Sequence, residues 1–163
     1  MEEQLSIVKQ DYLRRRIKRE IDILINESIC FKNEFSIMEW SQKEFVIGFN
    51  NIKDNKYYEF IISETYPFKP PKLRINNKLI DFYNCINSNE IRLYFKKYTG
   101  IECFCCESLL CCNNWSPVLT FKHIIDDINR FRKAISKINI CIILDIIKRK
   151  YLNKDINIIE WLF

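Results

Sequence analysis

Tyr66-Pro67-Phe68-Lys69-Pro70-Pro71-Lys72 and, farther along the chain, Trp115-Ser116-Pro117-Val118-Leu119-Thr120 decide how this sequence folds. In the first stretch each proline fixes its own φ and pushes the preceding residue out of the α region. The chain therefore crosses here in an extended, non-helical form. After the second stretch, helical spacing begins at once. Phe121, Ile124, Ile125, Ile128, Phe131 and Ile135 fall on one face, with Thr120 as a suitable N-cap.

Before the first proline run, Leu13, Ile17, Ile21 and Leu24 recur every three or four positions. This predicts an amphipathic helix over about residues 5–27, with Arg14, Arg15, Arg16, Lys18 and Arg19 filling much of the opposite face. Four tracts rich in β-branched and aromatic residues follow, at 35–40, 44–49, 57–62 and 72–75. Polar breaks at Ser41-Gln42 and 50–56 separate the first three, and such short connections favour an antiparallel meander. From 76 to 114 no period is sustained. Residues 91–95 read as a short strand at most, so a long loop is expected. Beyond the helix after Pro117, further helix is predicted over 138–152, then a short one ending at Phe163. With no repeat and no low-complexity linker, the chain reads as one α+β domain over residues 1–163.

Composition agrees. A length of 163 residues suits one domain, and 48% hydrophobic with 14% aromatic residues is enough to bury a core. Lys and Arg number 26 against 21 Asp and Glu, leaving +5. So small an excess does not imply a nucleic-acid partner, whereas its clustering on the first helix suggests a local docking patch. Glu2 and Glu3 are foreign to a secretory signal. The most apolar run, 138–147, is interrupted by Asn139 and Asp145 and is too short to span a bilayer. A soluble protein without a membrane partner is expected. The heavy use of Ile, Asn and Lys, with Gly48 and Gly100 the only glycines, reads as an AT-rich genome such as that of a protozoan or large virus.

Chemistry concentrates in the cysteines. Of eight, five lie in Cys103-x-Cys105-Cys106-x4-Cys111-Cys112. Three readings stand: a nucleophile among spectators, a zinc site built on Cys103 and Cys106 with Cys111 or Cys112, or small buried hydrophobes. The zinc reading lacks a second C-x-x-C. Cys30 and Cys141 belong with the buried class. His123, the only histidine, reads as a surface or helix-packing residue.

Taken in order, the basic first helix, the meander, Tyr-Pro-Phe-x-Pro-Pro and Trp-Ser-Pro-x-Leu-Thr resemble the ubiquitin-conjugating enzymes over nearly the whole chain. The resemblance implies that family's fold. It also implies a transferase that carries ubiquitin or a related modifier as a cysteine thioester and yields it to a lysine. The family's cysteine lies shortly before Trp-Ser-Pro and is followed by an apolar pattern. Cys106-Glu107-Ser108-Leu109-Leu110 is the best match, nine residues before Trp115, with adjacent Cys105 as the alternative nucleophile. A thiolate is the attacking species, and flanking Glu102 and Glu107 work against it.

Where the family carries His-Pro-Asn, this sequence reads Phe82-Tyr83-Asn84-Cys85-Ile86-Asn87-Ser88-Asn89, without His or Pro. Asn84 is the candidate oxyanion donor, with Asn87, Asn113 and Asn114 as alternatives. The tract around 91–101 is also longer than the family's. An inactive relative used for binding or as a structural component is therefore the competing expectation, and a zinc-stabilised interaction loop is a third. The resemblance further implies an activating enzyme docked on Arg14, Arg15, Arg16, Lys18 and Arg19. A ligase or other partner would meet the segments of Pro70, Trp115 and Pro117. No cofactor is expected, because the activating enzyme consumes the ATP. The implied location is intracellular, cytoplasmic or nuclear, or host cytoplasm or virion for a viral source.

Overall fold

The computed structural model describes residues 2–32, 35–41, 44–80, 89–100, 103–148 and 150. The described chain is α+β, with an N-terminal helix, an antiparallel sheet and C-terminal helices, as the sequence predicts at that level. It divides into two compact units, Met1–Ile80 with Leu109–Ile125 and Asp81–Ser108 with Asp126–Phe163.

In the first unit, α1 (Glu2–Asn26) buries Leu13, Ile17, Glu20 and Leu24 along one face. The stripe thus contains a carboxylate, and Ile21, expected on it, is only half-buried. Two bonds of 3.0 Å close the helix, Ser28 N–H to the Ile25 carbonyl and Ile29 N–H to the Leu24 carbonyl. With Ser28 at φ 53°, this is the Schellman pattern, and buried Leu24 and Ile29 are its apolar pair.

Strands β1 (Ser36–Ser41), β2 (Glu44–Asn51), β3 (Lys56–Ser63) and β4 (Lys72–Ile75) pair antiparallel in sequence order. The predicted four-strand meander is therefore present. A two-residue strand, β5 (Lys78–Leu79), extends it to five. The turn that adds β5 is Asn76-Asn77, with φ of 50° and 63°. Two positive φ values in a two-residue loop match the twist of the flanking strands, and asparagine tolerates that conformation. Asn76 Oδ1 also accepts the Tyr57 N–H at 2.9 Å, fixing the turn against β3. Phe49, Tyr58 and Phe60 fill the sheet side of the core. The Phe60 ring stacks on Phe121 with centroids 4.2 Å apart.

The second unit corrects the expectation of a long loop between 76 and 114. Part of that stretch is helical, as α2 (Asn89–Thr99) and the single turn α3 (Phe104–Glu107). Ile91, Tyr94, Phe95 and Tyr98 stand three and four apart, a helical period that prevails over the strand preference of the individual residues. Gly100, at φ 71°, ends α2 by donating its N–H to the Lys96 carbonyl at 3.0 Å. The helix predicted after Pro117 and the one predicted from 138 are a single element, α4 (Phe121–Ile147). Neither Gly nor Pro interrupts it. Phe95, Phe131 and Ile138 form the core here, with Ile91, Tyr94, Ala134, Ile135 and Ile142 packed against it. The short helix predicted to end at Phe163 lies outside the described residues. Among those described, no helix is long and apolar enough to cross a membrane.

The ring stack between β3 and α4 makes Phe60 a sensitive position. Phe60→Ala is expected to lower unfolding free energy by about 3–5 kcal/mol. Urea denaturation followed by circular dichroism measures it, and a loss below about 1 kcal/mol would contradict this packing.

Candidate functional site

The two proline-bearing signatures meet within the first unit. Trp115, buried at 8% exposure, donates its indole N–H to the Pro67 carbonyl at 2.6 Å. The Tyr66–Pro67 peptide is cis. The Tyr66 ring lies between Trp115 and Phe121, with centroid separations of 6.1 and 5.8 Å.

Behind these rings stands Glu20, a carboxylate with no exposed surface. Its Oε1 accepts the Tyr66 hydroxyl at 2.8 Å and pairs with Arg16 at 2.7 Å, while Oε2 accepts the Phe121 N–H at 2.9 Å. Phe121 opens α4, so its amide has no partner inside the helix, and an anion there also meets the positive end of the helix dipole. Thr120, expected as the N-cap, stands directly before the helix with its side chain against His123. Its N–H donates to His123 Nδ1 at 3.1 Å, and its hydroxyl lies 2.7 Å from the same nitrogen. The His123 ring accepts the Thr120 N–H, the part that Glu or Gln at the third helical position plays in a capping box. His123 is thus an exposed capping residue.

Arg16 reaches past Glu20 to the Leu119 carbonyl at 2.7 Å. Burial works against its charge, but bonding to Tyr66 and the nearby Glu20 outweigh it and its pKa is raised. Arg16 is therefore engaged inside the unit. Arg14, Arg15, Lys18 and Arg19 are exposed, Arg15 being paired with Asp11. Around the Trp115–Pro67 bond, Phe68 is 76% exposed and Val118 79% exposed. Pro117 is exposed and Pro70 half-buried.

The cysteine cluster straddles both units in sequence. In the second unit Cys106 is exposed on α3 and Cys103 is half-buried, while the Cys105 side chain lies outside the described set. Directly after α3, Ser108 is buried and donates its hydroxyl to Asp127 Oδ2 at 3.2 Å. In the first unit Cys111 is half-buried and Cys112 exposed. Among the described residues, no three His, Cys, Asp or Glu side chains gather so as to hold a metal ion. Cys30 and Cys141 are buried, and burial followed by the Asp145 charge pushes the Cys141 thiol up. Asn84 and Asn87 lie outside the described residues, whereas Asn113 and Asn114 are exposed.

Sequence reasoning missed Glu20, Ser108 and Asp127. For Glu20 the available signal was its place four residues before Leu24 and three after Ile17, in register with the apolar stripe. Comparison with protein-family models, with curated proteins and with solved structures finds no match.

Burial, then the Glu20 charge, raise the Tyr66 phenol above its ordinary value of 10.0. In the unfolded chain it ionises near pH 10, whereas in the folded protein it holds its proton to higher pH. Its contribution to stability is therefore complete below about pH 10 and is lost above, by up to about 1.4 kcal/mol per pH unit. Tyr66→Phe should flatten the alkaline limb of stability against pH. An unchanged limb would contradict the assignment.

Proposed function

We propose that this chain is a ubiquitin-conjugating-type transferase that carries ubiquitin or a ubiquitin-like modifier on Cys106. The observation that carries the reading is the indole bond from Trp115 to Pro67. It joins the two signatures on which the resemblance rests, beside a chain whose exposed thiol precedes Trp115 by nine residues.

In the proposed reaction the Cys106 thiolate attacks the acyl carbon of the modifier's thioester on the activating enzyme. A tetrahedral oxyanion forms and the activating enzyme's thiolate leaves. A target lysine amine then attacks the Cys106 thioester, an amide forms, the Cys106 thiolate leaves, and the amine's proton passes to solvent. Asn84 is the proposed oxyanion donor. Arg14, Arg15, Lys18 and Arg19 present an exposed basic face for the activating enzyme. Exposed Phe68 and Val118, flanking Pro70 and Pro117, offer an apolar partner surface on the two loops that Trp115 ties.

A second reading, a non-catalytic relative that binds a modifier or partner, is favoured by two features. His and Pro are missing from 82–89, and an 11-residue helix, α2, occupies the tract that follows.

One assay separates them. The chain is incubated with activating enzyme, ATP and ubiquitin or another modifier, then run on a non-reducing gel. The transferase reading expects an adduct cleaved by thiol reductant, absent in Cys106→Ala and kept in Cys105→Ser. No adduct with any modifier, alongside binding that survives Cys106→Ala, leaves the second reading.

A further inference from the structure

The turn that bears Cys106 is too short to hold itself. α3 has four residues, and its closing bond, Glu107 N–H to the Cys103 carbonyl, is 3.3 Å long. A first helical turn fixes several dihedrals for one hydrogen bond, so an isolated turn is unfavourable in water. Tertiary contacts have to supply the difference. One such contact close by on the chain is at Ser108, two residues after Cys106 and almost wholly buried.

Its partner is well fixed. Asp127 lies on α4 and is 7% exposed; Oδ2 accepts the Ser108 hydroxyl at 3.2 Å, and Oδ1 accepts Arg130 at 2.8 Å. Arg130 in turn lies over the Phe131 ring, 4.8 Å from its centroid, and Phe131 belongs to the core of this unit. A chain of contacts therefore runs from the core through Phe131, Arg130 and Asp127 to Ser108. Cys106 stands at its far end, open to solvent. Hydrogen bonds to a buried ionised acceptor are stronger than neutral ones, and a donor left without its acceptor is costly. Such a tether restricts where a nearby thiol can go without touching the thiol itself.

We infer that Asp127 is a positioning residue for Cys106, acting through Ser108 to hold the α3 turn in the orientation in which the thiol is offered. This rests on the reading that Cys106 carries the modifier, and it adds the group that aims it. Transthioesterification demands alignment of two protein-bound groups, whereas a small alkylating reagent finds an exposed thiol in many orientations.

The test uses the full chain and the variants Ser108→Ala, Asp127→Ala, their double mutant and Asp127→Asn, which keeps an acceptor oxygen. Three quantities are read: hydrogen exchange at the Glu107 amide, iodoacetamide alkylation of Cys106 by peptide mass spectrometry, and single-turnover thioester formation. Both single alanine variants should speed exchange at Glu107 by about tenfold and slow thioester formation by a similar factor. Alkylation should stay within about twofold of wild type, as expected of an accessible thiol whose chemistry is untouched. The double mutant should add nothing beyond Asp127→Ala, which already cuts the Ser108 link together with the Arg130 pair. Asp127→Asn should restore much of the exchange protection.

Unchanged exchange at Glu107 in Ser108→Ala, the mildest substitution, overturns the inference. So does additivity in the double mutant, or alkylation falling in step with thioester formation. Should wild-type protein form no thioester, the transferase reading fails, while exchange and its non-additivity still decide whether the tether holds the turn.

Discussion

The carboxylate of Glu20 is the constraint on which the first unit depends. Burying an ionised group is costly unless partners replace its water. Here three donors do so: the Tyr66 hydroxyl, the Arg16 guanidinium and the backbone N–H that opens α4. These donors come from the proline-rich crossing, from α1 itself and from the residue after Trp115-Ser116-Pro117-Val118-Leu119-Thr120. One side chain thereby specifies where three separate stretches of chain must converge. A buried ion pair seldom adds net stability over a well-packed apolar group, so its value here lies in register rather than in raw energy.

From that convergence the surface features follow. Tyr66 is held by Glu20, and beside it Trp115 seals the two loops through the Pro67 carbonyl. With Trp115 turned inward, the side chains left outside are Phe68 and Val118, both large, apolar and open to water. Isolated exposed hydrophobes are ordinary; these two stand on loops joined by a buried hydrogen bond. The second unit shows the same economy with Asp127, whose two oxygens are divided between Ser108 and Arg130. In both units a buried carboxylate on one helix fixes a segment that has little regular structure of its own.

Much of this was legible in the sequence. Alternating β-prone tracts gave β1 to β4 nearly to the residue, and Thr120 marked the start of α4 because a hydroxyl before an apolar period is a strong cap signal. The failures have physical reasons. Asn76-Asn77 is a hairpin turn whose outgoing strand has only two residues, too short to show alternation. α2 was hidden because Ile91, Tyr94 and Phe95 favour strands individually, and only their spacing against α4 makes them helical. Glu20 looks like any charged residue on a basic helix, and its burial depends on donors 46 and 101 residues away. Likewise Arg16 reads as part of a docking face, although it is drawn inward by the same carboxylate. Cys106 was singled out by the residues that follow it and is exposed, as Cys112 is, whereas the Ser108–Asp127 tether behind it is long-range and leaves no local pattern.

The most direct measurement is the stability of Glu20→Gln at neutral pH, by urea denaturation. The amide keeps the size of the side chain but removes the charge and turns one acceptor into a donor, leaving Arg16 without its buried counter-ion. A loss of about 3–5 kcal/mol is expected. A variant within about 0.5 kcal/mol of wild type, the range of an ordinary surface substitution, would contradict the central role assigned to this carboxylate.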